Sequence, residues 1–582
     1  MVISASVTVP VRSGARSRGV SRGSDGRMMV MWVAGGGALR QWCLRRETRG
    51  VGVGGSRLGA SPGGAMLRTR PLGGRPLEVG MFVVGAVLGV LATVYLAVAG
   101  PNVGIHLQGD HIWFYGSSGA PPPRVGRFSA VALNNMALGV FALAWLMVGL
   151  VVRRGGVAVR ALLVVGAVWS VPLVIAPPLF SPDALTYTAL GAALNHGVDL
   201  YQIGPGAAGQ IAAVRGAEPA WLYTPSPYGP LFLDLMGGLS RLLGEHMLAV
   251  FVALRLLTLV GLGAIGVMVA RLARWHGRGV GRALWLGVLN PLVLISAVSA
   301  NHNDTLMMVV LLGGLFLAVR GHPLLGIVVC VVAAGIKVVA LAGAAVIGVD
   351  YALRRCGWSA QARALAVSGL LAVGGFAASV QLYGRGWGWV RTLSIPGAAH
   401  EPLAPMTAIA DVLNPATPPT HLVGLVGSVV CAAVIVGLLT RLPSWGLVRV
   451  AAWVMLALVV FSPVVWAWYL LWPVLLFAAI TGRRETQMLV VVSIGMLFTM
   501  LPGGQATLLL LGRPAGDQVM LVGITVLVLF FAVPAALRRL GPRPPHQPNE
   551  PSLTRPSVPS DTVDREQHRR TSATVHHSER HR

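Results

Sequence analysis

The chain is a succession of apolar runs, most of them long enough to cross the roughly 30 Å of hydrocarbon in a bilayer. They occupy residues 79–100, 129–152, 157–178, 247–270, 280–300, 303–320, 361–384, 420–441, 446–463, 465–481, 486–502 and 518–538. Only 11% of residues are charged and the mean hydropathy is +0.70, so most of the chain cannot be the surface of a soluble domain. Residues 322–352 form a further run, too long for one span and too short for two ordinary ones at about 1.5 Å rise per residue. Arg320 precedes it and Arg354 and Arg355 follow it, and all three belong on the cytoplasmic side, so the chain must go out and return. Two short helices turning near Lys337 satisfy that requirement.

Arg153/Arg154, the cluster Arg271, Arg274, Arg278 and Arg282, then Arg441, Arg483/Arg484 and Arg538/Arg539 then share one side with both tails. The predicted fold is an all-α polytopic membrane protein of about fourteen helices, with 12 or 13 as alternatives, and with both termini cytoplasmic. Outer loops fall at 101–128, 179–246, 385–418 and 503–517. Residues 1–76 and 541–582, rich in Arg with Gly and Ser or with Pro and His, are expected to be disordered tails flanking a membrane domain at 77–540. Of 46 basic side chains only Lys337 is a lysine, and the arginines crowd the tails and short loops. The formal charge of +26 therefore reads as topology, and no nucleic acid partner is expected. Cys43, Cys330, Cys356 and Cys431 show no CxxC or metal-ligand spacing, which predicts no disulfide and no metal site.

The second outer loop carries the polar chemistry. In "SPDALTY" Ser181 is an N-cap and Pro182 a first helical residue, with Gly197 at the far end, so a short surface helix is expected. Asp183 and Tyr187 then share a face, where Asp183 reads either as a carboxylate at a helix N-terminus or as a catalytic group. In "WLYTPSPYGPLF" prolines fix the backbone while Trp221, Tyr223 and Tyr228 suit sugar faces or the headgroup layer. Asn301, His302, Asn303 and Asp304 interrupt two apolar runs, and a tight turn needs only one of them as a cap. Arg255 and Lys337 lie inside apolar segments, where a charge costs several kcal/mol unless it faces a partner or a polar cavity. Asp234 is the plain partner for Arg255; the sharper expectation is that both cations hold a phosphate at the outer lipid surface.

"SPDALTY", "GVDLYQIGP", "YTPSPYGPLF", "NPLVL…NHNDTLMM", "AAGIKVVAL" and "SPVVWAWYLLW" resemble, in the same order, motifs of actinobacterial polyprenol-phosphomannose-dependent alpha-1,6-mannosyltransferases, which build lipomannan cores. The resemblance spans roughly residues 75–540. It implies a GT-C-like bundle in the plasma membrane that takes mannose from a polyprenyl-phosphomannose donor outside the cytoplasm and passes it to a mannan-type glycolipid acceptor. By position, Asp183 resembles the general base and His302, Asn303 and Asp304 the family's HND turn. Lys337 matches a basic position, although Val338-Val339 depart from the expected Ala-Pro. Ala467 stands where the family often has proline before Trp468-Tyr469.

The chemistry this implies is a single inverting displacement with Asp183 as base and Arg255 and Lys337 on the donor phosphate. Tyr187, Tyr201, Tyr223, Tyr228, Asn301, His302, Asn303, Asp304, Trp468 and Tyr469 would line the sugar and acceptor groove. No Gly-rich phosphate loop or DxD pair points to a nucleotide donor, no cofactor is required, and a divalent metal is optional at most. Alternatives are a GT-C enzyme using another polyprenyl-phosphate sugar such as arabinose, a multi-pass transporter of lipid or sugar, and a scaffold without activity.

Overall fold

The computed structural model describes residues 76–99, 127–155, 157–384, 386–393, 404–414, 416–499 and a few positions between 516 and 522. The expected tails up to residue 75 and from 541, residues 101–126 of the outer loop expected at 101–128, and nearly all of 503–538 lie outside the described residues. Every ordered element described is helical. The principal helices are α1 (Pro76–Ala99), α2 (Arg127–Arg153), α3 (Val159–Ile175), α4 (Asp183–Asn195), α5 (Pro230–Leu242), α6 (Met247–Trp275), α7 (Val280–Leu286) and α8 (Pro291–Ser299). They continue with α9 (Asp304–Val319), α10 (Pro323–Ala334), α11 (Leu341–Leu353), α12 (Trp358–Leu382), α13 (Pro405–Leu413), α14 (Thr420–Leu439), α15 (Leu447–Val460), α16 (Leu471–Ile480) and α17 (Arg483–Leu497).

Five of the described helices are long and apolar enough to cross a membrane: α1, α2, α6, α12 and α14. The bent pair α7 and α8 makes a sixth if it counts as one span. The chain is a multi-pass helical membrane protein. Among the described residues the full-length spans are fewer than the twelve to fourteen helices read from hydropathy: apolar helices such as α3 and α9 are shorter than a full span, and other apolar runs are broken. The 280–300 run shows why. Pro291 lacks an N–H, so the helix stops before it and restarts at an angle of 58°. Asn290 holds the break together: its Oδ1 accepts from Leu292 N at 3.1 Å, while its Nδ2 donates to Leu286 O at 3.1 Å and Ser493 Oγ at 2.7 Å. α8 then ends in a π-helical turn, Ile295–Ser299.

The 322–352 run folds as expected, as α10 and α11 with Lys337 between them in extended conformation (φ −148°, ψ 121°). Within the core, Trp145 of α2 stacks on Trp285 of α7 at 5.1 Å, and each indole N–H donates to the other residue's carbonyl at 2.8 Å. A buried indole needs such an acceptor, so this reciprocal pair fixes α2 against α7. The expectation of no disulfide is corrected: Cys356 is disulfide-bonded, while Cys330 and Cys431 are buried free thiols.

Candidate functional site

α4 starts one residue later than its sequence signals suggest. Pro182 takes the capping position, and Ser181 Oγ accepts from Asp183 N at 3.2 Å. The first turn of α4 is buried on all sides, so Asp183 is only 9% exposed. The Tyr187 hydroxyl, one turn on, approaches Asp183 Oδ2 at 3.5 Å, and His302 Nδ1 reaches the same oxygen at 3.5 Å. Burial pushes the Asp183 carboxyl up to about 7, opposed by the nearby Lys337 charge and reinforced by Asp304. Loss of water around the His302 ring, with Lys337 close by, holds the imidazole in its neutral form. Burial likewise keeps the phenols of Tyr187 and Tyr228 protonated.

Lys337 Nζ donates to both carboxylate oxygens of Asp304, at 2.9 and 3.0 Å. Trp472 Nε1 donates to Asp304 Oδ1 at 2.6 Å, so this fully buried carboxylate is paired and hydrogen-bonded. The ammonium also lies over the rings of Tyr469 (4.4 Å) and Trp472 (5.3 Å). His302 stacks on Trp468 at 3.8 Å, which itself stacks on Trp466 at 5.0 Å. A cavity of about 20 Å³ lies against His302 and Trp468.

The break that presents Lys337 is tied to the proline-rich loop. Gly229 N donates to Ile336 O at 3.0 Å and Phe232 N to Gly335 O at 3.2 Å. A side chain at Gly229 could not be accommodated, since a Cβ there would stand 2.3 Å from Gly335 O. This approach sets Tyr228 beside the cluster, where its ring meets Tyr187 edge-on at 5.2 Å.

Residues 86–353 match the family model described as alpha-(1->6)-mannopyranosyltransferase, N-terminal domain, and residues 403–537 match the MptB C-terminal domain. The chain is 31% identical to alpha-(1->6)-mannopyranosyltransferase A of Mycobacterium tuberculosis, over 60% of this chain and 70% of that protein. The chain belongs to the alpha-(1->6)-mannopyranosyltransferase family. This mannosyltransferase is also 28% identical to a probable alpha-(1->6)-mannopyranosyltransferase of Mycolicibacterium smegmatis, over 73% of this chain and 84% of that one. To alpha-(1->6)-mannopyranosyltransferase A of Corynebacterium glutamicum it is 28% identical, over 42% of this chain and 53% of the other. No solved structure matches the chain. The mannosyltransferase is thus a hexosyltransferase and not the transporter weighed from hydropathy.

Of the residues singled out in sequence, Asp183, Tyr187, Tyr228, His302, Asp304, Lys337, Trp468 and Tyr469 come together in this mannosyltransferase. Tyr201 stands behind them, its hydroxyl donating to Tyr228 O at 3.0 Å, and Tyr223 is exposed at the surface. Asn301 and Asn303 are fully buried beneath the turn, with Asn301 in the left-handed region (φ 53°) that asparagine tolerates.

Arg255 requires a correction. Its Nε donates to Asn301 Oδ1 at 3.2 Å, Nη1 to Val174 O and Ala176 O at 2.6 Å each, and Nη2 to Ser299 O at 2.7 Å. Those donors are committed to the end of α3 and to the polar turn. With four of its five N–H donors so engaged, the guanidinium is a buried staple that shapes the turn. Trp472 was missed in sequence because the membrane-interface habit of tryptophan hides a specific hydrogen bond to a carboxylate 168 positions away.

Proposed function

We propose that the chain transfers mannose from a polyprenyl-phosphomannose donor to a mannan-type glycolipid acceptor, forming alpha-1,6 linkages by one inverting displacement on the extracytoplasmic face of the plasma membrane, with both termini cytoplasmic. The observation that carries this reading is the meeting of Asp183, His302 and the Lys337–Asp304 pair in one aromatic-walled cluster at the start of α4.

Asp183 takes the proton of the acceptor hydroxyl; its raised pKa, near the working pH, suits a general base, a role that typically contributes about 10²–10⁴-fold. Lys337 has three N–H donors, and the two Asp304 oxygens leave one for a phosphate oxygen of the departing lipid phosphate. Asp304 and Trp472 hold the ammonium in place, and Arg255 holds the turn that carries His302 and Asp304. Among the described residues both His302 nitrogens, both Asn303 side-chain atoms and Asn301 Nδ2 are buried without a hydrogen-bond partner, which supports a polyhydroxylated ligand at this turn. Trp468 and Tyr228 offer flat faces for sugar rings.

The test supplies membranes with radiolabelled polyprenyl-phosphomannose and a short alpha-1,6-mannoside. Wild type transfers label and Asp183→Asn does not. Transfer surviving in the variant would remove Asp183 as the base, and a wild type inert with this donor would overturn the donor assignment.

A further inference from the structure

A groove of about 820 Å³ runs between α3, α6 and the α7–α8 pair, from Val174 beside the Arg255 staple towards the other end of the bundle. Its walls are mostly aliphatic, with Leu163, Leu262 and Leu284 among them and Ser170 as a polar exception, and it is open at Gly263, where an added Cβ would meet nothing within 4 Å. Two arginines, Arg271 and Arg274, line one end. On α6 they stand 16 and 19 residues beyond Arg255, a rise of roughly 24–28 Å. They therefore mark the end of the bundle opposite the Asp183 cluster.

More cationic charge gathers there. Arg153 and Arg278 lie close enough to Arg282 to repel it, and Arg278 Nε is buried without a hydrogen-bond partner among the described residues. None of these five arginines is ion-paired to a carboxylate among the described residues. Hydrocarbon walls ending in unneutralised guanidinium groups match one chemistry, two acyl chains beneath an anionic phosphate headgroup.

We infer that this groove binds one anionic phospholipid, with its acyl chains along α3 and α6 and its phosphate on Arg271 and Arg274. The occupant is distinct from the mannosyl donor: on the reading proposed above, the donor's phosphate reacts at the Asp183 end and would leave the arginines unpaired. The site also bears on the active region. The far end of α3 supplies the Val174 and Ala176 carbonyls that Arg255 grips, so a lipid seated along α3 steadies the same turn.

The test uses the purified full chain in phosphatidylcholine nanodiscs with phosphatidylglycerol titrated in, read by native mass spectrometry and by thermal melting. Wild type retains one phosphatidylglycerol and melts higher, and added phosphatidylcholine gives no shift. Arg271→Gln/Arg274→Gln weakens retention by about thirtyfold, from two headgroup contacts. Gly263→Trp fills the groove and abolishes retention, with both variants checked for folding by size exclusion. Asp183→Asn retains the lipid normally, so failure of the catalytic reading leaves this measurement intact. Equal retention by wild type and both groove variants overturns the inference, as does an equal effect of phosphatidylcholine. Displacement of phosphatidylglycerol by polyprenyl phosphate would reassign the groove to the donor chain.

Discussion

Replacing Asp183 with asparagine preserves the side chain's shape and removes its charge. Moving the carboxyl from its ordinary 3.8 to about 7 corresponds to roughly 4 kcal/mol favouring the neutral form in the folded protein. Because the folded value lies above the unfolded one, the penalty is absent at pH below the ordinary value. It grows as pH rises and is complete above about 7. Asp183→Asn escapes it at every pH. The variant is therefore expected to melt higher than wild type at pH 8, with the gap narrowing towards pH 5, while transfer falls by about 10²–10⁴-fold. In wild type the base is active only when ionised, so kcat/KM should fall about tenfold per pH unit below 7. The assay pairs thermal unfolding in detergent with transfer of radiolabelled mannose across pH 5–8. A wild-type profile flat over that range, together with an Asn variant that melts no higher at pH 8, would refute the assignment of a buried, desolvated base.

Three further outcomes test the surrounding architecture. Lys337→Met strands the Asp304 charge in the interior, at a cost of about 3–5 kcal/mol; adding Asp304→Asn should restore most of the melting temperature but none of the transfer, and recovered transfer would deny Lys337 its place at the phosphate. Arg255→Lys cannot reach four acceptors in fixed directions, and each one orphaned costs about 1–3 kcal/mol, so melting should drop while the donor KM of the folded fraction is unchanged; a raised KM with unaltered melting would return Arg255 to phosphate binding. Gly229→Ala drives a methyl into Gly335 O and should lower both melting and transfer; a variant with wild-type values for both would show that the loop and the Lys337 break can separate freely.

Much of this could be read from the sequence because hydropathy and charge act locally. The two short helices of 322–352, broken at Lys337, were legible from the length of the run, and the shared face of Asp183 and Tyr187 followed from helical spacing. Helix count was less legible, since an apolar run looks the same whether its backbone is one helix or a broken pair, as at Asn290-Pro291. Arg255 and Lys337 were indistinguishable as embedded cations. One proved to be bound to backbone carbonyls and the other to a carboxylate.

The sequence by itself determined that the chain lives in a membrane, where its polar groups interrupt the apolar runs, and that one acid and two embedded cations stand out for chemistry. Only the tertiary structure decided which partners those groups have. A charge in low dielectric is governed by the atoms within a few ångströms of it, and those atoms arrive from helices far apart in the chain: Asp183 meets His302, Asp304 meets Lys337 and Trp472, and Arg255 meets the ends of two helices.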